Sequence, residues 1–259
     1  MVLSTVTTTS WFTGQNTNPE ALMRLFCFPY AGGGSLIYRH WTRFLPPTIE
    51  IVRVQLPGRE SRLKEPAFTR VEPLISELAD AVQPYLDKPF AFFGHSMGGL
   101  ISFELTRRLH KNHGLLPAHL FISGYIAPHK PDALRRIYDL PEPEFIEEVR
   151  NFNGTPDEVL EHPELMRLML PLIRADFEVC QTYDYVPGPP FHCPITVFGG
   201  REDKKANRPK LEAWREYTTG RFSLHMLPGD HFFLNTSQSV LLQIISRNLQ
   251  NSGRKAFQL

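Results

Sequence analysis

Phe90-Ala91-Phe92-Phe93-Gly94-His95-Ser96-Met97-Gly98-Gly99-Leu100 is the stretch on which the fold turns. Phe90–Phe93 is short and wholly apolar, which suits a central parallel strand covered on both faces. Leu100–Leu109 reads as a helix. Arg107, Arg108, His110 and Lys111 crowd its end, where positive charge favours the helix dipole, and Gly114 offers a stop. Between strand and helix lies Gly94-His95-Ser96-Met97-Gly98, a G-x-S-x-G in the strand–turn–helix setting that motif requires. The glycines have a physical reason. A serine hydroxyl has to protrude from a very tight turn, and side chains at Gly94 and Gly98 would strike neighbouring backbone. The turn also leaves N–H groups free at a helix N-terminus, ready for an oxyanion. Ser96 is therefore predicted to be a nucleophile; the competing reading is an incidental turn of small residues.

Outward from this point, apolar runs alternate with helical patterns. Leu22–Phe28, Ile49–Gln55, Leu120–Ser123, Ile195–Phe198 and Phe222–Leu227 read as strands. Leu36–Phe44, Val71–Leu86 and Val240–Leu249 read as helices, with Leu74, Leu78 and Val82 sharing a face. This alternation argues a mostly parallel sheet with helices on both faces. A length of 259 residues, 42% hydrophobic and 21% charged, is expected to form a single α/β domain over 1–259 and excludes disordered and fibrous chains. Residues 1–20 are expected to be a loose lead-in. About seventy residues separate the strands ending at Ser123 and starting at Ile195, more than a crossover needs. They contain helical patterns at Glu142–Phe152 and Pro163–Tyr183. Residues 125–190 are thus expected to be an insertion, a lid over one edge of the sheet.

A serine nucleophile needs a base, and the base an orienting acid. In this architecture the chain order is serine, acid, histidine. The acid should follow a late strand, and Ile195–Phe198 leads through Gly199-Gly200-Arg201 to Glu202 and Asp203. Asp203 is taken as the acid, with Glu202 its rival. Of ten histidines only His225 and His231 follow it. His225 lies inside a strand pattern, whereas His231 lies in the loop Leu227-Pro228-Gly229-Asp230-His231-Phe232, so His231 is the expected base. Asp230 is set aside because adjacent side chains in an extended loop diverge. Two N–H donors must meet the developing oxyanion. Met97 should supply one. The other should come from the loop Phe28-Pro29-Tyr30-Ala31-Gly32-Gly33-Gly34, with Ala31 preferred and Tyr30 next. A phosphate-binding reading of that loop fails because no G-K-[ST] follows.

Charge and cysteine usage narrow the function classes. With 28 Lys and Arg against 27 Asp and Glu, the net charge of +1 gives no basic excess for nucleic acid. Cys27, Cys180 and Cys193 form neither a disulfide framework nor a zinc spacing, which suits free thiols in a reducing cytosol. The segment MVLSTVTTTSWFTG lacks the basic and apolar regions of a signal peptide. No run of about 18 apolar residues exists, so no membrane span is expected. No cofactor or metal is called for.

Taken together, Phe28-Pro29-Tyr30-Ala31-Gly32-Gly33, Val54-Gln55-Leu56-Pro57-Gly58-Arg59-Glu60, Phe93-Gly94-His95-Ser96-Met97-Gly98-Gly99, Gly199-Gly200-x-x-Asp203 and Gly229-Asp230-His231-Phe232-Phe233 resemble the type II thioesterases. These are the free-standing editing enzymes of polyketide and nonribosomal peptide synthesis. The medium-chain thioesterases of animal fatty acid synthase look similar. The likeness runs from about Arg24 to Leu249. It implies an α/β-hydrolase fold with a helical lid, and Arg174-Ala175-Asp176-Phe177-Glu178 looks like part of that lid. It also implies a cytoplasmic serine thioesterase acting on acyl groups carried by the phosphopantetheine arm of an acyl or peptidyl carrier protein. One departure is that Asp203 runs into Lys204-Lys205-Ala206, where family members often continue with proline. Within the lid, the apolar, Met-bearing run Leu165–Ile173 is a candidate wall for the acyl chamber, with Met169 and Leu172 as its probes. Lys204, Lys205, Arg208 and Lys210 are a candidate carrier-docking patch, with Arg59 and Arg62 as alternatives at the entrance. The rival functions are a medium-chain fatty acyl thioesterase releasing product from a fatty acid synthase, a carboxylesterase or lipase acting on oxygen esters, and a catalytically idle carrier-binding chaperone.

Overall fold

Six apolar runs pair side by side in parallel: Met23–Phe28 (β2), Ile49–Val54 (β3), Phe90–His95 (β4), His119–Ser123 (β5), Ile195–Gly200 (β6) and Phe222–Leu227 (β7). A two-residue strand, Phe12–Thr13 (β1), adds antiparallel to the free edge of β3, giving the order β1-β3-β2-β4-β5-β6-β7. This computed structural model describes residues 10–14, 18, 20–130, 136–152 and 162–256. Most of the expected lead-in therefore lies outside the described residues, as do positions 131–135 and 153–161 of the expected lid.

Strands β4, β5 and β6 are buried at every position, because the sheet has a core on each face. The pleat divides one apolar run between the two cores. Phe90 and Phe92 join Leu74, Leu78 and Ile101 on one face. Ala91 and Phe93 join Tyr38, Trp41 and Leu241 on the other. The first face carries the helices Val71–Val82 (α1) and Met97–His113 (α2). The second carries the C-terminal helix Gln238–Ala256 (α7). Arg208–Glu212 (α5) and Phe233–Thr236 (α6) are short helices in the loops flanking β7.

Three local outcomes depart from the sequence expectation. Leu36–Phe44 is two 3₁₀ turns, Ser35–Tyr38 and Trp41–Arg43, instead of one helix. The buried residues Ser35, Tyr38 and Trp41 recur every three positions, which matches the 3₁₀ repeat and aims all three inward. The helix beginning at Val71 leaves α geometry at Val82, and Gln83–Tyr85 tightens into a 3₁₀ turn around Pro84. Strand β1 is too short to leave a period in the sequence.

Between β5 and β6 the chain forms Glu142–Asn151 (α3) and Pro163–Gln181 (α4). These helices have an apolar cluster of their own, built on Ile137, Phe145, Val149, Met166, Leu170 and Ile173. The order of the sheet places β2 and β4 side by side, with the chain leaving toward opposite edges. That is the switch point at which the loops beyond the strand ends part and leave a crevice.

Inside the sheet, His119 stacks on Phe121 with ring centroids 4.2 Å apart, and its Nε2 meets Thr196 Oγ1 at 2.8 Å. Burial, with a lesser contribution from the charge of Arg221, pushes its pKa down to about 3. Below its ordinary value of 6.5 the unfolded chain binds a proton that the folded chain refuses. His119 thus favours folding fully above pH 6.5, and this contribution is lost as the pH falls from 6.5 toward 3. His119→Gln is expected to lessen the fall in urea-melt stability between pH 6 and 4 by about 1.4 kcal/mol per pH unit. An unchanged slope would mean that His119 is protonated in the folded protein.

Candidate active site

Ser96 stands where β4 turns into α2, at φ 53° and ψ −119°. A β-carbon on Gly94 would lie 1.9 Å from the Gly98 carbonyl oxygen, and one on Gly98 would lie 2.2 Å from that of Phe28. No side chain survives at either position, so the G-x-S-x-G spacing is a steric necessity of this turn. The positive φ at a serine costs on the order of 1–3 kcal/mol and persists because the surrounding contacts impose it. One such contact is Ser96 N–H, which donates to Ser123 O at 2.7 Å.

The loops after β6 and β7 lie against each other. A β-carbon on Gly200 would sit 2.1 Å from Asp230 O, and Gly229 turns the second loop at φ 114°. This contact brings His231 over the end of the sheet. Its Nδ1 is 2.6 Å from Asp203 Oδ2, and its Nε2 is 3.1 Å from Ser96 Oγ. Asp203 is held from behind, since its Oδ1 accepts N–H from Lys205 at 2.9 Å and Ala206 at 3.0 Å. Burial alone would raise the Asp203 pKa. The hydrogen bond and charge of His231, with the two N–H groups, outweigh burial and hold the carboxyl below its ordinary value. The lysine-bearing continuation of the acid loop therefore supports the carboxylate through its backbone. Glu202 points to solvent, and Asp230 accepts from Phe232 N–H at 2.8 Å. His225, on β7, is half-buried against Phe198 of β6.

His95, the variable residue of the motif, has a place the sequence did not reveal. It is fully buried, its Nδ1 lies 2.9 Å from Ser123 Oγ, and its ring centroid is 5.2 Å from that of His231. Burial and then the charge of His231 hold its pKa well below 6.5, so it stays neutral and adds no cation beside the base. Cys27 and Cys193 are buried free thiols, and burial pushes Cys193 up to about 12, unlike a nucleophile.

Met97 and Ala31 border a cavity of about 630 Å³ together with Ser96 and His231. Ala31 lies in the turn Tyr30–Gly33, closed by Gly33 N–H to Tyr30 O at 2.9 Å, with Gly32 at φ 75° as a type II turn requires. Val149 of α3, Phe152 just past its end, and Ile173, Phe177 and Cys180 of α4 roof the cavity, and His129, Lys130 and Lys205 stand on its wall. The α4 face that lines it is thus 173, 177, 180 and 181. Met169 packs into the insertion's own cluster, and Leu172 Cδ1 would stand 3.2 Å from a β-carbon on Gly58, so neither expected probe borders the chamber.

The two arginines considered for the entrance are buried instead. Arg62 lies 4.3 Å over the Trp11 ring and pairs with Glu65. Arg59 pairs with Asp176 on α4. In the basic cluster, Lys205 Nζ sits 2.8 Å over the Phe152 ring, while Arg208 lies 3.9 Å from Glu212. Among the described residues no group of His, Cys, Asp and Glu is placed to hold a metal, and no helix is long and apolar enough to cross a membrane.

A serine on a strained strand–helix elbow, bonded to an imidazole that is bonded to a buried carboxylate, on a mostly parallel sheet, defines the serine-hydrolase class of α/β-hydrolase fold. Within that class the chain belongs to the thioesterase family, whose "Thioesterase domain" matches residues 23–249. It is 46% identical to the gramicidin S biosynthesis protein GrsT of Aneurinibacillus migulanus, over 93% of this chain and 94% of that one. It is 36% identical to the medium-chain S-acyl fatty acid synthase thioesterase of Rattus norvegicus, over 84% and 83% of the two chains. Among solved structures, the thioesterase RedJ from the prodiginine pathway of Streptomyces coelicolor superposes with a TM-score of 0.83. Its identity is 40%, covering 89% of this chain and 88% of that one. The protein is a thioester hydrolase, and its relatives include thioesterases of peptide and polyketide biosynthetic pathways.

Proposed function

We propose that the protein is a cytoplasmic editing thioesterase that removes acyl groups from the phosphopantetheine arm of acyl or peptidyl carrier proteins. The observation that carries this reading is the unbroken chain from Ser96 Oγ through His231 to Asp203, opening into a cavity of about 630 Å³ under α3 and α4. Ser96 Oγ attacks the thioester carbonyl carbon while His231 Nε2 takes its proton. Asp203 fixes the Nδ1–H tautomer and stabilises the imidazolium. Met97 N–H and Ala31 N–H donate to the tetrahedral oxyanion. The intermediate collapses, the C–S bond breaks, and the thiolate leaves with the proton from His231. Water, deprotonated by His231, then attacks the acyl-enzyme, and the acid departs as Ser96 regains its proton. The insertion over 125–190 acts as the lid of the acyl chamber.

The greater identity to the gramicidin S protein, 46% against 36%, favours a synthase-editing role over release from a fatty acid synthase. The decisive experiment compares hydrolysis of acetyl, propionyl and octanoyl groups on carrier proteins with the matching free acyl thioesters and oxygen esters. Preference for the carrier-bound thioesters supports the proposal. Faster turnover of oxygen esters would make the protein a carboxylesterase.

The same panel tests the chamber. Cys180 borders the cavity from α4, and Cys180→Trp should fill part of it. Displacing two methylenes forfeits about 1.6 kcal/mol, so octanoyl turnover should fall roughly tenfold while acetyl is spared. Equal loss on both would deny α4 a part in chain-length selection.

A further inference from the structure

The two most particular segments of the sequence, around Ala31 and around Arg59, meet in space, and α4 joins them. Asp176 and Arg59 are about 95% buried and form a two-pronged ion pair, with Arg59 Nη1 2.9 Å from Asp176 Oδ2 and Nη2 2.8 Å from Oδ1. Neither group spends all its bonding on the other. Asp176 Oδ2 also accepts Gly32 N–H at 2.7 Å, and Arg59 Nη1 also donates to Gly33 O at 2.8 Å. Glu60 holds the far end of the same loop, where its carboxylate accepts Leu36 N–H at 3.0 Å and Ser35 Oγ–H at 2.6 Å.

Gly32 N–H belongs to the central peptide of the Tyr30–Gly33 turn. That peptide is what flips between type I and type II turns, and the flip moves Gly32 between negative and positive φ. A carboxylate aimed at this N–H selects the type II state seen here. Ala31, which borders the cavity beside Ser96, is the residue directly before it.

We propose that Asp176 is a positioning residue for the oxyanion hole. Docking of α4 through Asp176 and Arg59 grips the loop at Gly32 N–H and Gly33 O and so fixes the place of Ala31, whose own N–H belongs to the preceding Tyr30–Ala31 peptide; the roof of the acyl chamber and the catalytic donor then move as one unit. An α4 that lifts withdraws its carboxylate from Gly32 and disarms the site. The inference rests on Ala31 being an oxyanion donor, and it extends that reading by making the donor conditional on the insertion.

The test compares wild type, Asp176→Asn and the apolar pair Arg59→Met with Asp176→Leu. Each is assayed for kcat and KM on acetyl and octanoyl thioesters, for inhibition by phenylboronic acid, and for melting temperature. A buried ion pair replaced on both sides by apolar groups of similar size commonly leaves stability unharmed, so the pair variant should fold. It nevertheless lacks the acceptor for Gly32 N–H. Its kcat should fall about 100-fold on both substrates, with KM changed less than about threefold. Phenylboronic acid, whose serine adduct places an oxygen in the oxyanion hole, should lose affinity in step. Asp176→Asn keeps one oxygen and should lose about tenfold on both measures. A merely structural pair predicts wild-type kcat and boronate affinity once folding is intact, and that outcome in either variant overturns the proposal. Failure of wild type to hydrolyse carrier-bound acyl groups would instead overturn the proposed function and leave this comparison standing on free thioesters.

Discussion

Ser96→Ala is expected to lower kcat on acyl-carrier substrates by something on the order of 10⁴ to 10⁶, because the members of a triad act as a unit and, among the described residues, no cysteine is placed to replace the serine. The candidates for substitution are poor. Cys180 borders the cavity but belongs to α4, and Cys27 and Cys193 are buried thiols. The fold should survive, since an alanine at this position keeps the β-carbon that Ser96 already carries at φ 53°. Ser96→Gly should lose as much activity and melt higher than the alanine variant, because glycine adopts that φ without strain. Single-turnover hydrolysis and thermal melts measure both effects. A Ser96→Ala enzyme keeping about a tenth of its rate would remove Ser96 from the nucleophile's role.

The parts of this protein that were legible from sequence share a property: their reason is local. Gly94 and Gly98 are glycines because backbone lies within 2.2 Å of where a β-carbon would go, and a two-glycine spacing around a serine advertises that crowding. Ser96, Asp203 and His231, which the structure brings into one hydrogen-bonded chain, each follow a strand end in a constrained chain order. What was not legible depends on partners far away in the chain. Arg59 reads as a surface charge until Asp176, 117 positions on, is seen to neutralise it. His95 reads as the variable residue of a motif until its ring is seen beside His231. The run Leu168–Ile173 is apolar at nearly every position, so periodicity could not choose a chamber face, and the face proved to begin at Ile173 and continue through Phe177 to Cys180. Tyr38 and Trp41 needed a period of three, which a search for helices at 3.6 passes over.

Asp203→Asn should cost roughly 10²- to 10⁴-fold in kcat, and the acid loop says why the amide cannot compensate. Two backbone donors, Lys205 N–H and Ala206 N–H, converge on Asp203 Oδ1. An asparagine here keeps those bonds only by leaving its oxygen at that position, since an NH₂ group facing two N–H donors would forfeit both. The amide nitrogen is then forced into the place of Oδ2, 2.6 Å from His231 Nδ1. A donor opposite Nδ1 requires that nitrogen to be unprotonated, so the imidazole proton moves to Nε2, where it faces Ser96 Oγ and can no longer accept. Substrate binding does not involve this proton, so KM should hold while kcat falls. Glu202→Gln is the matching control. The Glu202 side chain points to solvent, while the backbone N–H that locks the loops by donating to Gly229 O at 3.0 Å is untouched by the change. That variant should stay within about threefold of wild type, as surface substitutions ordinarily do. Steady-state kinetics of the two variants on one acyl-carrier substrate separate the carboxylates. Should Glu202→Gln prove the more damaging, the bond between His231 and Asp203 would not be the one that orients the base.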